Sequence, residues 1–248
     1  MTEIAGQTAL ITGAGSGIGR ASALALSEAG CRVIICGRRR EPLDAVAEAA
    51  AGEALVHVLD VTDTEAVDAL PGSLPEDWRE ISILLNNAGH EAGGRKRFHE
   101  GSVDDWASII ETNVQGTFRV CGAIVPGMVE RSLGHVVNIG STSGLVAGAK
   151  RTAYAASKFA IHGFSESLRR DYAGTGIRVT EIMPGIVRTD FAEARWNDAE
   201  KAKEFYDSFA DSMEPEDIAA AVVYAVSQPA RVNVTQMVLM QSSMGQVN

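Results

Sequence analysis

The chain has 248 residues, of which 46% are hydrophobic and 22% are charged, and its net charge is −10. An acidic chain lacks the basic surface that non-specific binding to nucleic acid requires, so we expect no nucleic-acid partner. No apolar run approaches the roughly 20 residues of a membrane span, and the segment MTEIAGQTALITG at the start lacks the basic region and cleavage site of a signal peptide. We expect a cytoplasmic protein with no membrane partner.

The three cysteines, Cys31, Cys36 and Cys121, have no metal-ligand spacing, and the five histidines do not cluster. We therefore expect reduced thiols that serve packing, and no metal site.

Short apolar runs alternate with helix-like segments along the chain. The predicted strands cover 8–12, 32–37, 54–58, 82–86, 135–139, 178–183 and 235–240, and the predicted helices cover 17–29, 40–50, 64–70, 103–129, 153–172, 199–212 and 215–227. Most of the strands are continuous Val, Ile and Leu runs, which is typical of parallel strands buried on both faces. The pattern predicts an α/β fold: a doubly wound, seven-stranded parallel sheet with helices on both faces. No linker composition interrupts it, so we expect a single domain over 1–248.

The first turn between strand and helix reads TGAGSGIG, at 12–19. Glycines in this turn permit a tight bend and the close approach of a pyrophosphate to backbone N–H groups, and the helix N-terminus adds partial positive charge. A tight structural turn is the alternative. The predicted dinucleotide-binding residues of this loop are Gly13, Gly15, Ser16, Gly17, Ile18 and Gly19.

The spacing T-G-x-x-x-G-x-G resembles that of the short-chain dehydrogenase/reductase family, and four further motifs of that family follow in order. They are N-N-A-G at 86–89, Ser141 in NIGSTSG, Y-x-x-x-K at Tyr154 and Lys158, and P-G-x-V-x-T at 184–189. The resemblance extends from residue 8 to about residue 240. It implies a Rossmann fold in which 8–150 mainly holds the cofactor and 188–212 forms a lid over the substrate.

Tyr154 and Lys158 are four residues apart on one predicted helix and therefore share a face. A free tyrosine titrates near pH 10, and a nearby ammonium lowers that pKa, so we expect Lys158 to lower the pKa of Tyr154. The resemblance implies that Tyr154 exchanges a proton with the substrate oxygen, that Ser141 hydrogen-bonds that oxygen, that Lys158 binds the nicotinamide ribose, and that Asn113 holds a relay water. Taken singly, each of these residues could instead serve packing or capping.

The end of the second predicted strand bears on the choice of cofactor. Family members that prefer NAD usually carry an acidic residue there, where this chain has Gly37, followed by Arg38 and Arg39. Guanidinium groups without a carboxylate suit a 2′-phosphate, so we predict NADP(H) over NAD(H). A solvated charge run is the alternative, and Ser16 stands where some NADP-dependent members carry a basic residue.

The resemblance also assigns the remaining cofactor contacts. It places Asp60 and Val61 at the adenine. The backbone contacts on the adenosine side are Asn87, Ala88 and Gly89. The predicted contacts to the nicotinamide side are Pro184, Gly185, Val187 and Thr189.

The substrate is suggested by three stretches, at 74–81, 126–142 and 231–240, that resemble the branch of 3-hydroxy acid dehydrogenases, serine dehydrogenases and sulfoacetaldehyde reductases. That branch handles small anionic substrates. Arg195 is then a candidate for pairing with a carboxylate or sulfonate, and His90 is a candidate at the pocket mouth. Two basic stretches, at 95–97 and 150–151, could recruit an acidic substrate, or all of these charges could be solvated surface groups.

The predicted function is hydride transfer between NADP(H) and a small, anionic hydroxy or oxo compound. One alternative keeps the enzyme but takes a neutral ketone, an acyl thioester or a sugar derivative. Another is a non-catalytic dinucleotide sensor or scaffold. The helix bearing Tyr154 is rich in small residues, and family members commonly form tetramers through it, so we predict a homotetramer.

Overall fold

The computed structural model describes residues 4–209 and 211–244, so the ends of the predicted 1–248 domain, and Ala210 of the predicted lid, lie outside the described residues. The strands are β1 Thr8–Thr12, β2 Arg32–Gly37, β3 Ala54–Val58, β4 Ile81–Asn86, β5 Gly134–Ile139, β6 Ile177–Pro184 and β7 Gln236–Leu239. The α-helices are α1 Gly17–Glu28, α2 Arg40–Ala49, α3 Thr64–Ser73, α4 Val103–Ile110, α5 Thr117–Glu130, α6 Thr152–Asp171, α7 Phe191–Trp196, α8 Ala199–Asp207 and α9 Pro215–Val226.

The seven strands form one parallel sheet in the order β3-β2-β1-β4-β5-β6-β7. Strand order reverses between β1 and β4, which lie side by side although β2 and β3 come between them in the chain. The predicted doubly wound, single-domain Rossmann fold is confirmed. In such sheets ligands bind beyond the carboxyl ends of the strands at this reversal, which locates the site.

The apolar runs supply both faces of the sheet because alternate residues of a strand point to opposite sides. Ala9 and Ile11 face a core formed with α1, α2 and α9, whereas Leu10 faces a second core formed with α3 and α5. All three side chains are fully buried. Two apolar cores on one sheet explain why the strands are hydrophobic without alternation.

The predicted helix over 103–129 is interrupted. Between α4 and α5 the residues Glu111–Gly116 form a π-helical turn, and the chain then continues as α5. Two differences occur after β6: the six-residue α7 was not predicted, and α8 ends at Asp207 rather than 212. Within the described part of the chain, no helix combines the length and apolarity needed to span a bilayer.

Candidate active site

A cleft with a volume of about 370 Å³ opens at the carboxyl ends of β1, β4 and β5. The glycine loop and the end of β2 form one half of its wall. The loop after β4, the start of α6, and the segment from the end of β6 through α7 and α8 form the other half. The cleft therefore joins motifs that are far apart in the sequence.

The glycine loop requires its glycines for two reasons. Gly13 and Gly17 have φ of 65° and 51°, in the left-handed region that side chains rarely adopt. A Cβ on Gly17 would also lie 3.1 Å from the Thr189 side chain, across the cleft wall. The N-cap of α1, Ser16, makes no side-chain capping hydrogen bond, so the first N–H groups of the helix are available to an anionic ligand.

Gly19 differs from its predicted role, because it does not line the cleft. A Cβ there would lie 2.3 Å from the Gly13 carbonyl oxygen and 2.5 Å from Asn87 Nδ2. Asn87 Nδ2 donates to the carbonyl oxygens of Thr12 and Gly13, each at 3.1 Å. Gly19 therefore permits the loop to pack against the end of β4, and the asparagine holds the loop in place.

The arginines after β2 separate into two environments. Arg38 and Arg39 line the cleft, are exposed, and have no carboxylate within 4.0 Å among residues 4–209 and 211–244. Arg40 pairs instead with Asp44, at 3.4 Å on α2. Burial acts to raise the pKa of Asp60, but hydrogen bonds from Thr62 and the charge of Arg38 outweigh it and lower that pKa. Asp60 is thus an ionised acceptor near Arg38, although the two do not form an ion pair within 4.0 Å.

Most of the other predicted cofactor residues line the same cleft. They are Gly15, Ile18, Val61, Asn87, Ala88, Gly89, Pro184, Gly185, Val187 and Thr189. Tyr206 Oη donates to the Thr189 carbonyl oxygen at 2.9 Å, which ties α8 to the chain after β6. Donors and backbone groups suited to a phosphate-bearing dinucleotide are therefore continuous along the cleft.

Ser141, Tyr154 and Lys158 also line the cleft, at the junction of its two halves. The Ser141 Oγ accepts from the Ser143 N–H at 3.1 Å, which leaves its own proton free to be donated. Lys158 Nζ donates to the Ile139 carbonyl oxygen at 2.8 Å. Burial lowers the pKa of Lys158 to about 8, against a smaller opposite effect from Glu181.

The prediction that Lys158 lowers the pKa of Tyr154 is wrong for this structure. Burial and the nearby Glu91 carboxylate raise that pKa to about 12, against smaller opposing effects of Ser141, Arg195 and Arg151. Lys158 Nζ lies 5.7 Å from the Tyr154 ring centroid and is bound to a carbonyl. Desolvation of the phenolate therefore outweighs the charge of the lysine.

Asn113 lies in the π-helical turn and does not line the cleft. Its side chain accepts from the His90 N–H at 2.9 Å, and donates to the His90 carbonyl at 3.0 Å and to Ser157 Oγ at 3.1 Å. The amide therefore fixes the loop after β4 against α6 rather than pointing at the cleft. That Asn113 holds a relay water stays a prediction.

His90 lines the cleft, but its ring is held by the protein. Its Nδ1 accepts from the Ala92 N–H at 3.2 Å, and its Nε2 lies 3.1 Å from Thr112 Oγ1, which assigns the proton to Nε2. Burial and then the charge of Arg38 lower its pKa. His90 is a neutral ring that shapes the loop.

Arg195 lies at the substrate end of the cleft and is only 8% exposed, so its interpretation as a solvated surface charge is wrong. Its Nη2 lies 2.8 Å from Glu91 Oε2, and the Glu91 side chain is 3% exposed. The guanidinium also lies 4.7 to 5.5 Å from the ring centroids of Phe191, Trp196 and Phe205. Arg195 thus has an internal counter-ion and an aromatic cage.

Sequence reasoning missed Glu91 and the aromatic residues of the segment after β6. The Phe191 ring centroid lies 5.8 Å from that of Tyr154, at an interplanar angle of 61°. Phe205 and Tyr206 also line the cleft. The signal available for Glu91 was its position, two residues after N-N-A-G and shortly before several arginines.

The chain matches the model of the short chain dehydrogenase family over residues 7–200. It belongs to the short chain dehydrogenase family. It is 41% identical over 233 residues, 93% of each chain, to the NADP-dependent 3-hydroxy acid dehydrogenase YdfG of Salmonella typhi. Among solved structures of short chain dehydrogenases, it matches the closed form of serine dehydrogenase complexed with NADP⁺, with a TM-score of 0.93, 37% identity and 98% of each chain covered. Serine dehydrogenase from Escherichia coli matches with a TM-score of 0.84 and 34% identity, over 97% of this chain and 100% of that one. The resemblance to the hydroxy acid and serine dehydrogenase branch is confirmed.

Proposed function

We propose that this short chain dehydrogenase transfers a hydride between NADP(H) and a small, anionic hydroxy or oxo acid. The observation that carries the proposal is the cleft itself. It runs from an uncapped helix N-terminus and two arginines that form no ion pair among the described residues to Tyr154, and ends among further arginines. The NADP dependence of the relatives that it resembles supports the same cofactor.

The residues present fit the cofactor. The positive φ of Gly13 and Gly17 and the free N–H groups of α1 suit a pyrophosphate. Arg38 and Arg39 suit a 2′-phosphate, and Asp60 suits an amine donor. When bound, the nicotinamide supplies or accepts a hydride, and the protein orients it and handles the proton.

The chain's own residues would act on the substrate oxygen. Tyr154 keeps its proton at neutral pH because its pKa is raised, so it is a proton donor toward a substrate carbonyl. Ser141, whose Oγ already accepts from a backbone N–H, has its hydroxyl proton available for the same oxygen. In the reverse direction Tyr154 must first lose its proton, which the charges of Arg195 and Arg151 assist.

We propose that the segment 188–212 is the lid over the substrate. Support comes from contacts that join it to the rest of the cleft: Tyr206 Oη to the Thr189 carbonyl, Phe191 to Tyr154, and Arg195 to Glu91. Through the last two contacts the segment packs against Tyr154 of α6 and against the loop after β4.

The homotetramer and the cytoplasmic location remain proposals. Phe118 on α5 and Phe159 on α6 are 44% and 43% exposed, which supports a contact surface between copies on these helices. Cys31, Cys36 and Cys121 are all buried free thiols, as expected in a reducing compartment. Sedimentation at micromolar concentration tests the assembly, because a monomer peak contradicts it.

The deciding experiment is a spectrophotometric assay with NADP⁺ and NAD⁺ on 3-hydroxy acids, hydroxysulfonates and neutral alcohols. We expect activity with NADP⁺ on the anionic compounds, and its loss in Tyr154→Phe. Activity confined to neutral alcohols would keep the cofactor but contradict the acid substrate. Binding of NADPH with no turnover of any compound would indicate a dinucleotide sensor.

A further inference from the structure

The substrate end of the cleft contains more positive charge than negative. Three guanidinium groups, those of Arg95, Arg151 and Arg195, line it together with two carboxylates, those of Glu91 and Asp190. This concentration of cations lies in a chain whose net charge is −10. Three guanidinium groups around one tyrosine hydroxyl therefore require an explanation.

Glu91 is the counter-ion of one of these three guanidinium groups, that of Arg195. It contacts Arg195 at 2.8 Å, and both side chains are more than nine-tenths buried. No other polar partner within hydrogen-bond distance reaches the carboxylate oxygens of Glu91 in the described structure. The two charges balance each other, but Nε and Nη1 of Arg195 have no hydrogen-bond partner among the described residues and can still donate to a substrate.

Arg95 and Arg151 have no such partner. Neither lies within 4.0 Å of a carboxylate oxygen in the parts of the chain that the structure describes. Arg95 lies over the Phe205 ring, with its Cζ 4.7 Å from the centroid, and its Nε is buried without a hydrogen-bond partner. Arg151 Nη1 donates to Ser143 Oγ at 2.7 Å, and Ser143 is bonded in turn to Ser141.

The two unpaired guanidinium groups are close enough to affect each other and the tyrosine. Burial, then repulsion from Arg151 and Arg195, lowers the pKa of Arg95 to about 10, against smaller opposite effects of Glu91 and Tyr154. The charge of Arg151 also acts to lower the pKa of Tyr154. Placing like charges together in a half-buried site is unfavourable unless an anion joins them.

We propose that Arg95 and Arg151 form a subsite for a second acidic group of the substrate, so that the preferred substrate is a dianionic hydroxy or oxo acid. The inference rests on the proposed function and restricts its substrates to dianionic acids. One acidic group is received beside Arg195, where Glu91 moderates the charge. The other is received between the Phe205 ring and the Ser143 hydroxyl, by the two arginines that have no carboxylate oxygen within 4.0 Å among the described residues.

Two isosteric substrates test the subsite. 3-Hydroxyglutarate carries a carboxylate where 3-hydroxy-5-methylhexanoate carries an isopropyl group of similar size. We expect kcat/KM with NADP⁺ to favour the diacid by roughly tenfold or more, the value of a charge-assisted hydrogen bond. A 3-hydroxy acid with a terminal phosphate, as a third substrate, distinguishes a phosphate from a carboxylate as the preferred second group.

Variants then assign the preference to residues. Arg95→Gln and Arg151→Gln are each expected to lower the diacid-to-monoacid ratio by roughly tenfold, and Arg151→Lys to keep part of it. Lys96→Gln is the matched control, because Lys96 belongs to the same loop, is exposed and does not line the cleft. It is expected to leave the ratio unchanged.

The outcomes separate this inference from the proposed function. Activity on the monoacid with no preference for the diacid in the wild-type enzyme overturns the subsite and leaves the proposed function intact. A preference that Lys96→Gln lowers as much as Arg95→Gln also overturns it. Absence of NADP⁺-dependent activity with every hydroxy acid removes the proposed function and the inference together. A binding titration of glutarate against 5-methylhexanoate, followed by intrinsic tryptophan fluorescence, gives the same comparison without turnover, and equal affinities overturn the subsite.

Discussion

Removing one partner of the Glu91–Arg195 pair is expected to lower the free energy of unfolding strongly. Removing both partners is expected to lower it by less than the sum of the two single losses. Their charged atoms are 2.8 Å apart, and the side chains are 3% and 7% exposed. Apart from this contact, the carboxylate oxygens of Glu91, and Nε and Nη1 of Arg195, have no hydrogen-bond partner among the described residues. Either single substitution therefore leaves a buried charge with little compensation.

The two single variants are expected to differ in magnitude. Arg195→Met leaves a buried carboxylate without any partner, which costs about 3–5 kcal/mol. Glu91→Gln leaves the guanidinium among three aromatic rings at 4.7 to 5.5 Å, and such contacts are worth about 0.5–2 kcal/mol. We therefore expect Glu91→Gln to cost less, about 2–3 kcal/mol.

The assay is urea unfolding of the two single variants and the double variant, followed by circular dichroism. A coupling free energy of about 1.5–3 kcal/mol is expected. Arg40→Gln is the control, because it breaks an exposed pair with Asp44 at 3.4 Å, and such pairs contribute about 0–1 kcal/mol. Single variants that both lie within the range of this control, or losses that simply add in the double variant, would contradict a coupled buried pair.

Further predictions concern the proton, the cofactor and the loop. Tyr154→Phe is expected to lower kcat by roughly 10²–10⁴-fold with little change in NADPH affinity measured by fluorescence; weaker NADPH binding instead would contradict its role as proton donor. Burial raises the pKa of Tyr154 to about 12. The rate of oxidation, which needs deprotonated Tyr154, should therefore increase as pH rises from 7 to 10. The rate of reduction, which needs protonated Tyr154, should not fall over this range through loss of the Tyr154 proton. A pH profile with the opposite slopes would count against this assignment. Arg38→Gln should lower kcat/KM for NADPH by roughly tenfold or more and affect NADH much less; equal losses with both cofactors would exclude a 2′-phosphate contact. Gly19→Ala places a Cβ 2.3 Å from the Gly13 carbonyl oxygen and should cost about 1–3 kcal/mol in urea unfolding; an unchanged midpoint would contradict the close packing of the loop against the end of β4.

The strands could be predicted from the sequence to within two residues because they are short apolar runs bounded by turn residues. The six residues of α7 could not, because helical periodicity is recognised over windows of about 11–18 residues. The π-helical turn at Glu111–Gly116 also leaves no signal in composition, because it differs from an α-helix only in which backbone groups pair.

Site residues could be predicted from the sequence where they belong to a short motif. Contacts between residues far apart in the sequence could not be predicted. Tyr154 and Lys158 share a helix, and both line the cleft as the spacing indicates. Glu91 and Arg195 are 104 positions apart by their numbers, and no short-range pattern links them. The pKa of Tyr154 depends on desolvation by neighbours from several elements, which the sequence alone does not contain.

The π-helical turn has a consequence for the angular phase of the helix that follows it. Each residue of an α-helix advances the side chains by about 100°, so one residue more or fewer in this turn would rotate all of α5 by that angle. Cys121, Ile124 and Val125, now buried against the sheet, would then point elsewhere. The turn thus sets two orientations at once, that of the Asn113 amide toward the loop after β4 and that of the apolar face of α5 toward the core. Substitution at Asn113 can alter the first alone, whereas insertion or deletion there would change both.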